Sequence, residues 1–315
     1  MTTHRPISPM AELHANVAVP FTAAHAMPKS VYTSARVSGR RTASRLCPRL
    51  AVGGARRHVA EPRDYLTMKI AREPIIVLRD ADGQLRALSN VCRHRWIMVS
   101  SNPDAPDPYT ALKDVEKLVG YLHMASYRET FRWNTNWKVL AENFMESYHL
   151  PVCHAGTIGG SVDLMRMTCP EGGPSFNHHF ILKNDTIPLS LAHPSNTTLQ
   201  GDQRRITWLL SIYPALLITL MPGYFWYICL SPDGPDHVNV LYSGGMSPDW
   251  CADPAAAGHL ATIKMLLDDV NIEDKDCVEK VYAGICAGLS APGPLSHLER
   301  PNLEFAQYLA RMIPA

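Results

Sequence analysis

The stretch ENFMESYHLPVCH, from Glu142 to His154, concentrates side chains that bind metals and move protons. Glu146 and His149 are three positions apart, so on a helix they share a face. His149 and His154 are five apart, which on a continuous helix would separate them by about 140°. Both can approach one point only if the helix is interrupted. Pro151 lies between them and is expected to end the helix, letting the chain turn back. Two neutral imidazoles need a further donor, and the acidic run DDVNIEDKD, Asp268 to Asp276, offers carboxylates. Two histidines and one carboxylate on one face of Fe(II) leave the opposite positions open for oxygen, as in non-haem iron oxygenases. None of these features is specific alone. Histidine pairs at this spacing are common, an isolated Glu146 is most simply a solvated carboxylate, and the acidic run is most simply a polar helix face.

A second set begins at Cys92 and His94, in the sequence CRHR. A Rieske centre binds one iron through two cysteines and the other through two histidines. The ligands come from two loops, the first reading C-x-H and the second C-x-x-H. Cys92 and His94 fit the first. None of the eight cysteines has a histidine three residues later, so the second loop is missing from the chain.

These groups need elements to hold them. With 315 residues, 46% hydrophobic content and a net charge of +1, the chain can build a sizeable core and has no global field for nucleic acid or an anionic membrane. No apolar run approaches the roughly eighteen residues that suggest a membrane span, and there is no secretory signal core, so a soluble, cytoplasmic protein is expected. Residues 1–60 read as a basic, poorly ordered segment: positions 13 to 60 hold a single acid-free, arginine-rich tract. The same tract also fits an organellar transit peptide or a frame-shifted stretch. Short β-rich runs at Tyr65 to Ile70, Pro74 to Leu78 and Leu85 to Leu88, with a turn at Asp82 and Gly83, predict an antiparallel meander leading into Cys92. Residues 99–118 form a connection. Beyond it, helical spacing through WKVLAENFMESYHL, several β-rich runs from Arg205 to Met246, and a long helix after Ala255 predict an α+β domain in which an antiparallel sheet grips a helix.

Taken together, LSNVCRHR, NWKVLAENFMESYHLPVCH and IEDKDCVEKV, in this order, resemble the large (alpha) subunit of Rieske-type ring-hydroxylating oxygenases, especially the choline and carnitine branch. The resemblance covers residues 61–98 and 119–315, which divides the chain into a Rieske remnant and a mononuclear iron catalytic domain. It implies an incomplete all-β Rieske-like domain followed by a helix-grip catalytic domain with a long C-terminal helix. It also implies that His149, His154 and Asp274 hold mononuclear Fe(II), that Cys92 and His94 are half of a 2Fe-2S ligand set, that Glu146 bridges the two centres, and that Asn143 lies beside the iron. Expected partners are a small organic substrate, O2, a reductase or ferredoxin that carries electrons from NAD(P)H, and two further copies in a homotrimer. Neither nucleic acid nor a membrane is expected. Of the aromatic residues Trp208, Tyr213, Tyr224, Phe225, Trp226 and Tyr227, strand alternation should turn some toward the metal, as sheet core or as a cage for a quaternary ammonium group. His178 and His179 are expected to be structural or surface residues. Two other readings use the same residues: a zinc hydrolase with Glu146 as base, and a metal-free module binding a hydrophobic ligand in the helix-grip fold.

Overall fold

The computed structural model describes residues 8–34, 37, 65–70, 73–80, 82–89, 127–182 and 190–313. Helices α1 (Pro9–Val17) and α2 (Lys29–Thr33) open the chain. Ser8 caps α1, its Oγ accepting from the Ala11 amide at 3.1 Å, and Pro9 sits where a missing N–H costs nothing. Leu13 and Val31 are fully buried in the same core as Trp137. The expectation of a poorly ordered segment therefore does not hold for residues 8–34. Met10, Leu13, Met27 and Val31 supply enough apolar surface to dock them. The arginine-rich tract lies almost wholly outside the described residues.

A three-stranded antiparallel sheet follows, β1 (Tyr65–Ile70), β2 (Glu73–Arg79) and β3 (Leu85–Ser89), in that spatial order. Gly83, at φ 76°, makes the β2–β3 turn, and Asp80 Oδ1 accepts from the amides of Asp82 and Gln84. Strands and turn fall where the sequence predicts them. Cys92 and His94 lie outside the described residues.

The larger unit is a seven-stranded antiparallel sheet in the order β4-β10-β9-β8-β7-β6-β5. Its strands are β4 (Tyr127–Trp133), β5 (Met167–Thr168), β6 (Phe176–Leu182), β7 (Ile206–Ile212), β8 (Leu216–Leu220), β9 (Tyr224–Pro232) and β10 (Val238–Met246). Between β4 and β5 run α3 (Trp137–Phe144) and α4 (Leu150–Cys153); after β10 come α5 (Pro248–Cys251), α6 (Ala256–Cys286) and α7 (Arg300–Met312).

Alternation along the strands divides the sheet into two faces. Register places Trp226 beside Thr219, Thr219 beside Leu209, and Leu209 beside His179. This row, with Thr207 and Tyr224, looks onto the helices. Trp208, Phe225 and Tyr227 point the other way, and Tyr213 packs against Phe305 and Tyr308 at 5.5 and 4.8 Å. Gly244 is paired with Trp226, and a Cβ there would come within 2.6 Å of the Phe225 carbonyl, so only glycine fits.

Three features differ from the sequence reading. The helix expected to run to Pro151 stops at Phe144 and restarts as α4, with Pro151 in its first turn, where proline is tolerated. Strand β6, with His178 and His179, is additional, as is α7, whose Phe305, Tyr308 and Leu309 are almost wholly buried.

Candidate metal centre

Asn136 starts the assembly. Its side chain accepts from the Lys138 amide to cap α3, and donates to the carbonyls of Tyr32 and Pro235. The N-terminal segment, α3 and the β9–β10 hairpin are thereby tied together. After α3 ends, the buried Glu146 carboxylate turns the chain. Its Oε2 accepts from the amides of Tyr148 at 2.7 Å and His149 at 3.1 Å, while Oε1 holds His149 Nδ1 at 2.5 Å. His149 and His154 are the N-cap and C-cap residues of the four-residue helix α4. One helical turn with a residue at each end thus brings the two rings to a centroid distance of 5.4 Å. Gly159 closes the loop behind them, because a Cβ there would lie 2.6 Å from the Leu150 carbonyl and 2.7 Å from that of His154.

The third group comes from α6. Its inward stripe reads Ile263, Leu267, Val270, Asn271 and Val278, all buried, and Asp274 continues that spacing. Asp274 Oδ1 lies 3.2 Å from His154 Nε2 and 3.8 Å from His149 Nε2, and it accepts from Asn143 Nδ2 at 2.8 Å. Asp276, two positions on, faces solvent and pairs with Lys280 at 2.6 Å.

Glu273 is the participant that sequence reasoning missed. Its Oε2 lies 2.8 Å from His154 Nδ1 and accepts from the Thr157 hydroxyl at 2.6 Å. A signal was present: Glu273 stands three positions after Val270 and adjoins Asp274, at the edge of the inward stripe.

One atom from each of His149, His154 and Asp274 lies within 4.8 Å of the others. Both Nε2 atoms face the Asp274 carboxylate, and both Nδ1 atoms are held by a second carboxylate. This donor set fits a divalent iron: two imidazoles and an oxygen on one side, with outer carboxylates fixing ring tautomer and orientation. Burial pushes the His154 imidazole down, but hydrogen bonds and charge from Asp274 and Glu273 outweigh it, and its pKa lies above the ordinary value. Without a metal the site favours a proton where a cation would sit.

Nearby groups serve as scaffold. His179 is buried, its Nε2 2.7 Å from Ser147 Oγ, and burial pushes its pKa down to about 3. His178 is buried beside Trp208. Both are structural, and neither is a surface residue. Cys153 stays outside the donor set: its Sγ meets Cys277 Sγ at 2.8 Å, both as free thiols. Among the described residues, two cavities reach the centre. A larger one, about 430 Å³, touches Glu142, Asn143, Glu146 and His149 from the side of the N-terminal helices. A smaller one, about 80 Å³, lies between the helices and the inner sheet face, where Phe144, Leu209, Met221, Tyr224, Trp226 and Leu267 line it.

Residues 121–315 match the family of the ring hydroxylating alpha subunit, catalytic domain, and residues 52–130 match the Rieske [2Fe-2S] domain. The chain therefore belongs to the ring-hydroxylating alpha subunits, the class that its fold and donor set also fit. Among curated relatives, the glycine betaine monooxygenase oxygenase subunit of Pseudomonas aeruginosa is 30% identical over 100 residues, 31% of this chain and 21% of the relative. The carnitine monooxygenase oxygenase subunit of Acinetobacter baumannii is 35% identical over 68 residues, 22% of this chain and 18% of the relative. The aligned parts thus span about a fifth of these relatives' length. Among solved structures, the quaternary ammonium Rieske monooxygenase CntA has the same fold, with a TM-score of 0.69 at 18% identity over 94% of this chain and 97% of that one. Naphthalene 1,2-dioxygenase from Rhodococcus sp. gives 0.63 at 16% identity, with 97% of each chain covered. No helix among the described residues is long and apolar enough to cross a membrane.

Proposed function

We propose that this chain is the oxygenase component of a Rieske-type system, in which His149, His154 and Asp274 hold Fe(II) and a small organic substrate is hydroxylated, dihydroxylated or demethylated with O2. The observation that carries this reading is the convergence of two imidazole Nε2 atoms on one carboxylate, with each Nδ1 fixed by a further carboxylate. When bound, the iron supplies oxygen activation at its open coordination positions.

The chain's own residues do the rest. Glu146 and Glu273 accept from the Nδ1–H groups, keeping both rings in the tautomer that presents Nε2. Asn143 holds the Asp274 carboxylate by its Oδ1. The apolar walls of the smaller cavity exclude bulk water from the reacting bond. NAD(P)H electrons would enter through a separate reductase or ferredoxin, with Glu146 on the path between the centres of neighbouring subunits in a homotrimer.

Cys92 and His94 are half of a cluster ligand set, and no C-x-x-H follows in the chain. On this reading the chain as written holds little or no stable 2Fe-2S cluster, and reductase cannot drive it. Hydrogen peroxide, which brings both oxygen and oxidising equivalents, would then support a slow turnover that NADH with reductase does not. Iron and acid-labile sulfide counts on purified protein, with an electron paramagnetic resonance spectrum, test both parts. About one iron per chain and little sulfide are expected. Stoichiometric zinc in place of iron would overturn the oxygenase reading, and a Rieske signal at one cluster per chain would overturn the cluster reading.

A further inference from the structure

Thr207 and Thr219 lie on adjacent strands of the sheet wall that faces the metal-binding residues. Thr219 is paired with Leu209, so Thr207 is its diagonal neighbour on the same face, at a distance of about 7–8 Å between backbones. Both side chains are nearly inaccessible, at 4% and 5% exposure. Both line the smaller cavity, and neither hydroxyl has a hydrogen-bond partner. A buried hydroxyl without a partner is costly, and valine would fill the same space without that cost. Two such groups on one wall of one cavity are what a site needs to hold a polar substituent of an otherwise apolar ligand.

The rest of the lining sets the charge of that ligand. Among the described residues around the cavity, the ionisable side chains near the metal end are Glu146, His149, His154 and Asp274; Tyr224 is the other, and burial pushes its phenol pKa up, so it stays neutral. Apart from Asn143, Asn271 and the two threonines, the remaining walls are aliphatic and aromatic, with Tyr224 and Trp226 beside Thr219. A ligand carboxylate would meet no cation on them.

Resting on the oxygenase reading above, we infer that the substrate is a neutral, largely apolar small molecule bearing a hydroxyl, carbonyl or similar hydrogen-bonding group, which Thr207 and Thr219 receive on the sheet wall while the bond to be oxidised faces His149, His154 and Asp274. The two threonines are specificity residues: they select the polar substituent and fix which end of the substrate points at the metal.

The test is ligand binding to the full chain, followed by calorimetry with phenol, its near-isostere toluene, and glycine betaine, on metal-free and on metal-loaded protein. Phenol is expected to bind, and glycine betaine to bind at least tenfold more weakly. In T207V/T219V the ratio of phenol to toluene affinity should fall by about tenfold, the effect of losing a hydrogen bond in a buried site. T207S/T219S, which keeps both hydroxyls, should restore the ratio, and matching circular dichroism and melting curves would show that the variants fold. The inference is overturned if phenol fails to bind, if its preference over toluene survives T207V/T219V, as it would were the hydroxyls serving only water, or if glycine betaine binds better than phenol. Because the metal-free protein is measured too, failure of the iron assignment would leave these ratios intact and appear separately in the iron count.

Discussion

Glu273 gives the sharpest test of the metal centre, because it binds no metal in the proposed arrangement and acts only through His154. Glu273→Ala removes the acceptor at 2.8 Å from His154 Nδ1 and frees the Thr157 hydroxyl. The ring can then rotate and its Nε2 becomes a weaker donor. Loss of such an outer partner lowers metal affinity by about 10–100-fold, or about 1.4–2.7 kcal/mol. The effect should also appear in stability. At a free metal concentration a hundred times the wild-type Kd, binding stabilises the fold by about 2.7 kcal/mol; a variant with hundredfold weaker affinity keeps only about 0.4 kcal/mol of that. Anaerobic Fe(II) titration against a competing chelator measures the first quantity, and urea unfolding with and without metal the second. Glu273→Gln, whose amide oxygen can still accept, should lose less than Glu273→Ala. The reasoning is refuted if Glu273→Ala binds iron within twofold of wild type, or if it loses iron as completely as His154→Ala.

Four further outcomes are expected. His149→Ala and His154→Ala should each abolish stoichiometric iron while far-ultraviolet circular dichroism stays unchanged; iron retained by both would refute the assignment. Asp274→Ala should lose the metal and Asp276→Ala keep it with its urea midpoint unchanged, since the pair of Asp276 with Lys280 is exposed; the reverse result would mean that α6 is turned differently. His179 is held neutral, with a folded pKa of about 3 against 6.5 in the unfolded chain, so the unfolded state takes up the proton first and stability is lost as pH falls below 6.5. At pH 5 that amounts to about 2 kcal/mol, and urea unfolding of His179→Asn should show a correspondingly flatter profile between pH 7.5 and 5. Leu13→Ala in α1 should cost about 2–5 kcal/mol by denaturant titration, whereas a value near zero would show that α1 is not part of the core.

The site was partly legible in the sequence because chemistry and spacing are local. His149 and His154 have types and an interval that suit one ion, Asp274 is singled out from its acidic run only by the family resemblance, and the meander around Asp82 and Gly83 is written in alternation and turn residues. What was not legible depends on contacts between distant segments. Glu146 was read on a continuous helix with His149, yet that helix stops at Phe144, and the carboxylate reaches the imidazole by folding back over the Tyr148 and His149 amides. Periodicity cannot register a side chain competing for backbone donors. Glu273 adjoins Asp274 in one acidic run, and only the ring orientation of His154 shows that both carboxylates are used. In β6, FNHHFIL lacks clean alternation because both of its faces are covered, so its histidines looked peripheral although both are buried.

The pairing of β4 with β10 bears on how the centre comes into being. β4 is the first strand of the large sheet in sequence, and across the pair Trp133 faces Val238 while Tyr127 faces Gly244. Every other strand of the sheet lies within that loop, and so do both histidines. Asp274 lies beyond it. Closing so long a loop is entropically unfavourable until the intervening hairpins have shortened it, which makes the β4–β10 ladder a late event with high contact order. On the ribosome, His149 and His154 emerge long before α6 does, and an ion meeting them then would find two donors instead of three. Under the proposed assignment, iron would therefore be acquired by a finished fold. Its stabilisation would then be absent from the folding transition state and belong to the unfolding rate, so loading is expected to slow the loss of the native structure without hastening its formation.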